Sequence, residues 1–170
     1  DGLGGADPLT SKVCIVGPPP DDEPRAAGAH LSYTFGQVEI AAPVVDFRSL
    51  CGNLTSGVGA FAIWENMVRP VAPVTTVRIW NTNLESMLYC EVPVEAGRPR
   101  ETGDYAIPGV PGTGAKVQVD FAETAGHDGG HLQAAQVRCD EKPGGQRRLG
   151  APVILRGDRV QKLRRLGAGG

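Results

Sequence analysis

Two positions carry side chains able to move a proton with no help from a cofactor: Lys12, in Thr10-Ser11-Lys12, and Cys51, in Cys51-Gly52-Asn53. Cys51 directly precedes a long apolar stretch, which places its thiol at or beside a helix N-terminus, where unpaired backbone N–H groups and the helix dipole favour a thiolate. Gly52 lets a ligand approach the backbone, and Asn53 has the chemistry to cap the helix or to donate to a carboxylate. Lys12 closes a loop opened by Gly2, Gly4 and Gly5. A tight pocket made by these glycines with Thr10 and Ser11 would partly desolvate the amine, making it a better base, and its charge would hold an anion. From the residues alone each position also has a plainer reading: Cys51 as a buried structural cysteine ahead of a capped helix, Lys12 as a solvated charge at the start of a strand.

The elements that must position these groups are short. The apolar run at 13–16 reads as a buried strand, so Lys12 sits where loop becomes strand. The proline-dense polar connection at 18–24 cannot join a sheet interior. Leu31, Tyr33, Phe35, Val38 and Ile40 suggest a second strand with a break near Gly36. Residues 54–67 are small or apolar on almost every face, with the first charge at Glu65, which predicts a buried helix wrapped by strands. Gly57 and Gly59 each weaken that helix by about 1 kcal/mol relative to Ala, so close backbone packing has to compensate. The β-rich runs 74–81 and 87–94 form a hairpin with a loop of about five residues. A Gly/Pro-punctuated loop at 103–114 leads into an alternating strand at 116–121.

The chain has 170 residues, 41% of them hydrophobic, enough for one domain with a core. Its 24 glycines and 14 prolines divide it into short, strand-rich pieces. It contains no apolar run of about 18 residues that would span a bilayer, and residues 1–5 lack the features of a secretory signal. A cytoplasmic location is expected. Cys14, Cys51, Cys90 and Cys139 form no Cys-x-x-Cys pair and are expected as free thiols. Residues 1–137 hold 8 Lys or Arg against 16 Asp or Glu, whereas residues 138–170 hold 9 against 3, so the end of the chain is a different kind of sequence. Residues 126–150 show neither alternation nor a helical stripe, the basic residues beyond them surround one compact apolar run, Val153-Ile154-Leu155, and 124–170 is expected to be an irregular, poorly ordered basic tail. His127, His131 and Cys139 lie in glycine-rich surroundings with no expected helix, so no metal site is predicted from them. The tail's arginines have no interleaved aromatics and point to no nucleic-acid partner.

Four ordered blocks together resemble a known family. Asp1-Gly2-Leu3-Gly4-Gly5-Ala6 with Thr10-Ser11-Lys12, Cys51-Gly52-Asn53-Leu54 with Gly57-Val58-Gly59, Thr76-Val77-Arg78-Ile79-Trp80-Asn81-Thr82-Asn83, and Gly109-Val110-Pro111-Gly112-Thr113-Gly114-Ala115 are similar to methylaconitate cis-trans isomerase, aconitate Δ-isomerase and 4-oxalomesaconate tautomerase. The resemblance covers residues 1–123. It implies an α+β fold in which strands curl around a central buried helix, one half of a two-domain architecture like diaminopimelate epimerase, with the first strand missing and the second half absent. It implies that Lys12 and Cys51 transfer protons, that Thr10, Ser11, Gly52 and Asn53 hold substrate carboxylates, and that no metal or organic cofactor is used. Ser49-Leu50 stand where the family commonly has Gly-Asn.

The expected activity is therefore movement of a proton and a double bond on a small unsaturated polycarboxylate, with neither nucleic acid nor membrane as partner. The alternative is a non-catalytic remnant or polycarboxylate-binding module. The surface left by the missing half would be available for homo-oligomer formation.

Overall fold

The computed structural model describes residues 7–121 together with the strands Leu132–Gln136 and Val153–Arg156. The elements in chain order are β1 (Lys12–Gly17), β2 (Leu31–Val38), β3 (Val45–Asp46), α1 (Gly52–Trp64), β4 (Val74–Asn81), β5 (Ser86–Glu95), β6 (Arg98–Pro99), β7 (Lys116–Asp120), β8 (Leu132–Gln136) and β9 (Val153–Arg156). Seven strands run across one mixed sheet in the order β8-β7-β5-β4-β2-β1-β9, with β3 added to β2 and β6 to β5. The β2–β4 and β1–β9 pairs are parallel and the others antiparallel.

Among the described residues α1 is the single α-helix, and it packs against β1, β4, β5, β6, β7 and β8. Strands from both halves of the sheet therefore close on it, as its all-round apolar sequence predicts. Leu54, Val58, Ala60, Ala62 and Ile63 enter one continuous core with Cys14, Val16, Leu31, Tyr33, Val77, Ile79, Leu88, Cys90, Val92, Val117 and Val119. Gly57 and Gly59, both expected to pack closely, behave differently. A Cβ on Gly59 would overlap Cys90 Sγ, so this position has to be bare for α1 to lie against β5. A Cβ on Gly57 would meet nothing within 4 Å, so close packing accounts for Gly59 and leaves Gly57 unexplained.

The helix is shifted from its expected span of 54–67. It starts two residues earlier because the Cys51 carbonyl already accepts from Thr55 N at 3.1 Å, making Cys51 the N-cap. It stops at Trp64 because Asn66 turns left-handed, with φ of 55°. Met67 N then bonds Ala62 O at 2.8 Å and Asn66 N bonds Ile63 O at 3.1 Å, which takes up two terminal carbonyls in a Schellman arrangement. Asn53 lies inside the first turn, so the cap position expected for it belongs to Cys51, and no side chain caps the helix.

The expected break at Gly36 does not occur, since β2 runs unbroken through it. The glycine is there for space: a Cβ would come within 2.8 Å of both Val13 Cγ1 and Val45 Cγ1 and 3.0 Å of Phe47 Cε1. In the β4–β5 hairpin Asn81 pairs with Ser86, leaving a four-residue turn, 82–85, one shorter than expected.

Two pieces of the stretch expected to be irregular are strands. β8 pairs antiparallel with β7, and β9, the apolar run Val153-Ile154-Leu155 with Arg156, pairs parallel with β1. The open edges of β7 and β1 offer unpaired N–H and C=O groups that any extended segment can satisfy, which requires no side-chain alternation. The rest of 122–170, including His127, His131 and Cys139, lies outside the described residues, as do Gly2, Gly4 and Gly5.

Candidate active site

Lys12 and Cys51, 39 positions apart in the chain, meet at one end of α1. The Lys12 ammonium donates from Nζ to Cys51 Sγ at 3.8 Å in a partly buried contact. Each partner is brought there by its own element. Asp7 starts a tight turn in which its side-chain Oδ1 accepts from Leu9 N at 2.7 Å and its carbonyl accepts from Thr10 N at 3.1 Å and Ser11 N at 2.8 Å. That turn delivers the chain into β1 with Lys12 as its first residue. Cys51 is fixed because Leu50 and Cys51 both pack against the main core and the Cys51 carbonyl opens the helix.

The other expected site residues flank this pair. Thr10 and Ser11 precede Lys12; Thr10 is half-buried and Ser11 is fully buried. Gly52 and Asn53 form the first two residues of α1, the former half-buried and the latter exposed. With no side chain capping the helix, its first N–H groups face the same end of α1 as the Cys51 thiol, and the helix dipole adds positive potential there.

Beneath the pair lies a buried polar layer that the sequence reading missed. Thr55 Oγ1 donates to the Cys51 carbonyl at 3.0 Å. The Cys14 thiol donates to Tyr33 Oη at 3.9 Å, and both side chains are buried in the same core as α1. Burial pushes the Cys14 thiol up to about 12 and raises the Tyr33 phenol as well, so both stay protonated and neutral beneath the pair. Period-two patterning placed Cys14 and Tyr33 in strands but could not show that their polar tips point at the helix start. Gln37 and Asn83 were also missed as residues that touch the segments carrying the pair.

Cys14, Cys51 and Cys90 are free thiols. Among the described residues no group of three or more His, Cys, Asp or Glu side chains is placed to hold a metal ion, and no helix is long and apolar enough to cross a membrane.

Comparison with known proteins bears on this geometry. The family model described as PrpF protein matches residues 1–155. The 3-methylitaconate isomerase of Eubacterium barkeri is 51% identical over 126 residues, which is 74% of this chain and 32% of that protein. The 2-methyl-aconitate isomerase of Shewanella oneidensis is 40% identical over 134 residues, 76% of this chain and 32% of that protein. The 4-oxalomesaconate tautomerase of Pseudomonas putida is 39% identical over 165 residues, 91% of this chain and 42% of that protein. Among solved structures, that of a methylitaconate-delta-isomerase superposes with a TM-score of 0.66 at 51% identity, covering 74% of this chain and 31% of the other. The chain thus spans about a third of the length of these curated relatives.

Proposed function

Because the chain belongs to the PrpF protein family, we propose that it supplies the proton-transferring pair of an isomerase acting on a small unsaturated polycarboxylate of the methylitaconate, methylaconitate or oxalomesaconate kind. The observation that carries this reading is the 3.8 Å approach of Lys12 Nζ to Cys51 Sγ at the uncapped N-terminus of α1.

Shifting a carbon–carbon double bond in such an acid begins with loss of a proton from the carbon adjacent to the conjugated system. The electron pair of that C–H bond delocalises into the neighbouring double bond and carboxylate, giving a dienolate. A proton added at the far end of the allylic system completes the shift. Two groups of suitable basicity, one to take the proton and one to return it, are sufficient. Nothing is oxidised or reduced, so the step is complete without a metal or organic cofactor. The charge that builds up on the dienolate is met by the lysine and by the first N–H groups of α1. Thr10, Ser11, Gly52 and Asn53 form the carboxylate side of the site in this reading, Ser11 through the buried end of the loop that carries Lys12.

The described residues correspond in this reading to one half of a two-domain, diaminopimelate-epimerase-like architecture. A cytoplasmic setting goes with the free thiols.

Isomerisation is read directly from the ultraviolet absorbance of conjugated acids. With methylitaconate, methylaconitate and oxalomesaconate offered in turn, the reading predicts a change with at least one, reduced by roughly a hundredfold or more in Lys12→Ala and Cys51→Ser. Activity kept in full by both variants would remove these residues from the chemistry. Binding of all three acids with turnover of none would favour a polycarboxylate-binding module instead.

A further inference from the structure

We propose that Gln37 and Asn83 are positioning residues that set the gap between Lys12 and Cys51 by tying the segments that carry them to the same strand, β2. The proposal rests on the pair being the reactive one. Gln37 stands near the end of β2, opposite Lys12 in the β1–β2 register. Its Nε2 donates to Ser11 O at 2.9 Å and to Pro8 O at 3.1 Å, so both N–H bonds of the amide are spent on the loop that ends at Lys12.

Asn83 does the matching work for Cys51. The β2–β4 pairing ends at Tyr33 opposite Asn81, just short of Phe35. Asn83, in the turn after β4, continues that ladder with its side chain: Oδ1 accepts from Phe35 N at 2.8 Å and Nδ2 donates to Phe35 O at 2.8 Å. The second N–H of the same amide donates to Phe47 O at 2.6 Å. Phe47 lies four residues before Cys51, and its ring sits over bare Gly36 of β2. The turn is held in shape by buried Asn81, whose Oδ1 accepts from Leu84 N at 2.9 Å. One amide thus locks the approach to Cys51 to Phe35, and another locks the approach to Lys12 two residues further along β2.

A carboxylate of the same size keeps the acceptor and loses both donors, setting a negative charge against the carbonyls. Gln37→Glu and Asn83→Asp are therefore the sharp variants. The readout is o-phthalaldehyde, which joins an amine and a neighbouring thiol into one fluorescent isoindole and so reports the Lys12–Cys51 gap with no substrate present. The native chain should form this bridge, located by peptide mapping, and each variant should form it roughly tenfold more slowly, since sub-ångström to ångström misplacement costs one to two orders of magnitude in such reactions. Alkylation of Cys51 by iodoacetamide should stay near the native rate in both. Ser32→Ala, which removes the bond from Ser32 Oγ to Pro18 O elsewhere on β2, should leave the bridging rate unchanged. Where Asn83→Asp does not fold by circular dichroism, Gln37→Glu decides, because Gln37 is only half-buried. A native bridge with unchanged rates in the folded variants, or equal slowing in Ser32→Ala, overturns the proposal while leaving the proton-transfer reading intact. A native chain that forms no bridge overturns both.

Discussion

The start and the middle of α1 hold the same residue type in opposite surroundings. At the start, Cys51 is half-buried, sits at an uncapped helix end and has an ammonium 3.8 Å from its sulfur. At the middle, Cys90 reaches over from β5 into a fully enclosed site, donating to Ser56 O at 3.9 Å with its thiol pushed up by burial to about 12. Enclosure keeps a thiol neutral and inert, whereas the role proposed for Cys51 asks for a thiol that a ligand can reach. The lesson is that the middle of the helix is built for packing so that one end can be left under-satisfied.

The largest effect expected from breaking that division is at Gly59. Gly59→Ala drives a Cβ into Cys90 Sγ and within 3.0 Å of Val92 Cγ2, and should cost about 1–3 kcal/mol of stability. Gly57→Ala, two residues nearer the site with open space around it, should instead stabilise by about 0.5–1 kcal/mol, the ordinary helix preference for alanine. Urea denaturation midpoints read both. Equal destabilisation by the two would mean that the start of the helix is as tightly enclosed as its middle.

A smaller effect follows from the buried acids. Cys14 and Cys90 are raised from 9.0 to about 12 in the folded chain, so below pH 9 they are protonated whether folded or not, and their contribution to stability is complete. Between 9.0 and about 12 the unfolded chain releases protons that the folded chain retains, so stability falls as pH rises across that interval. Tyr33, raised by burial, acts in the same direction at higher pH. Urea midpoints across that alkaline interval should fall less steeply in Cys14→Ala, and an unchanged slope would show that Cys14 is not enclosed.

Much of this was legible in the sequence, and the physical reasons for the rest are specific. The runs around Val13, Leu31, Val74, Met87 and Val117 alternate or are densely β-branched, and all lie in strands. The stretch from Leu54 has no polar face, which by itself demands enclosure, and the enclosure is found. Its end was not legible because Asn66 stops the helix through its own left-handed backbone, against an apolar pattern that continues to Met67. The strand β8 was missed because Leu-Gln-Ala-Ala-Gln carries little β-rich pattern, and β9 because its apolar run Val153-Ile154-Leu155 stands alone among basic residues, with its partner β1 far away in the chain. At the site, Lys12 and Cys51 stood out by residue type and by the blocks around them. Gln37 and Asn83 did not, because a polar amide on a strand or in a turn looks solvated until the segments it bridges are brought together.

The most direct test of the proton-transfer account is exchange in deuterated water. With methylitaconate present, the native chain should replace the ligand's allylic hydrogen by deuterium, seen as loss of that proton resonance by NMR, and both Lys12→Met and Cys51→Ala should abolish the replacement. Exchange that continues at the native rate in the two variants, or a native chain that leaves the allylic hydrogen untouched, would contradict it.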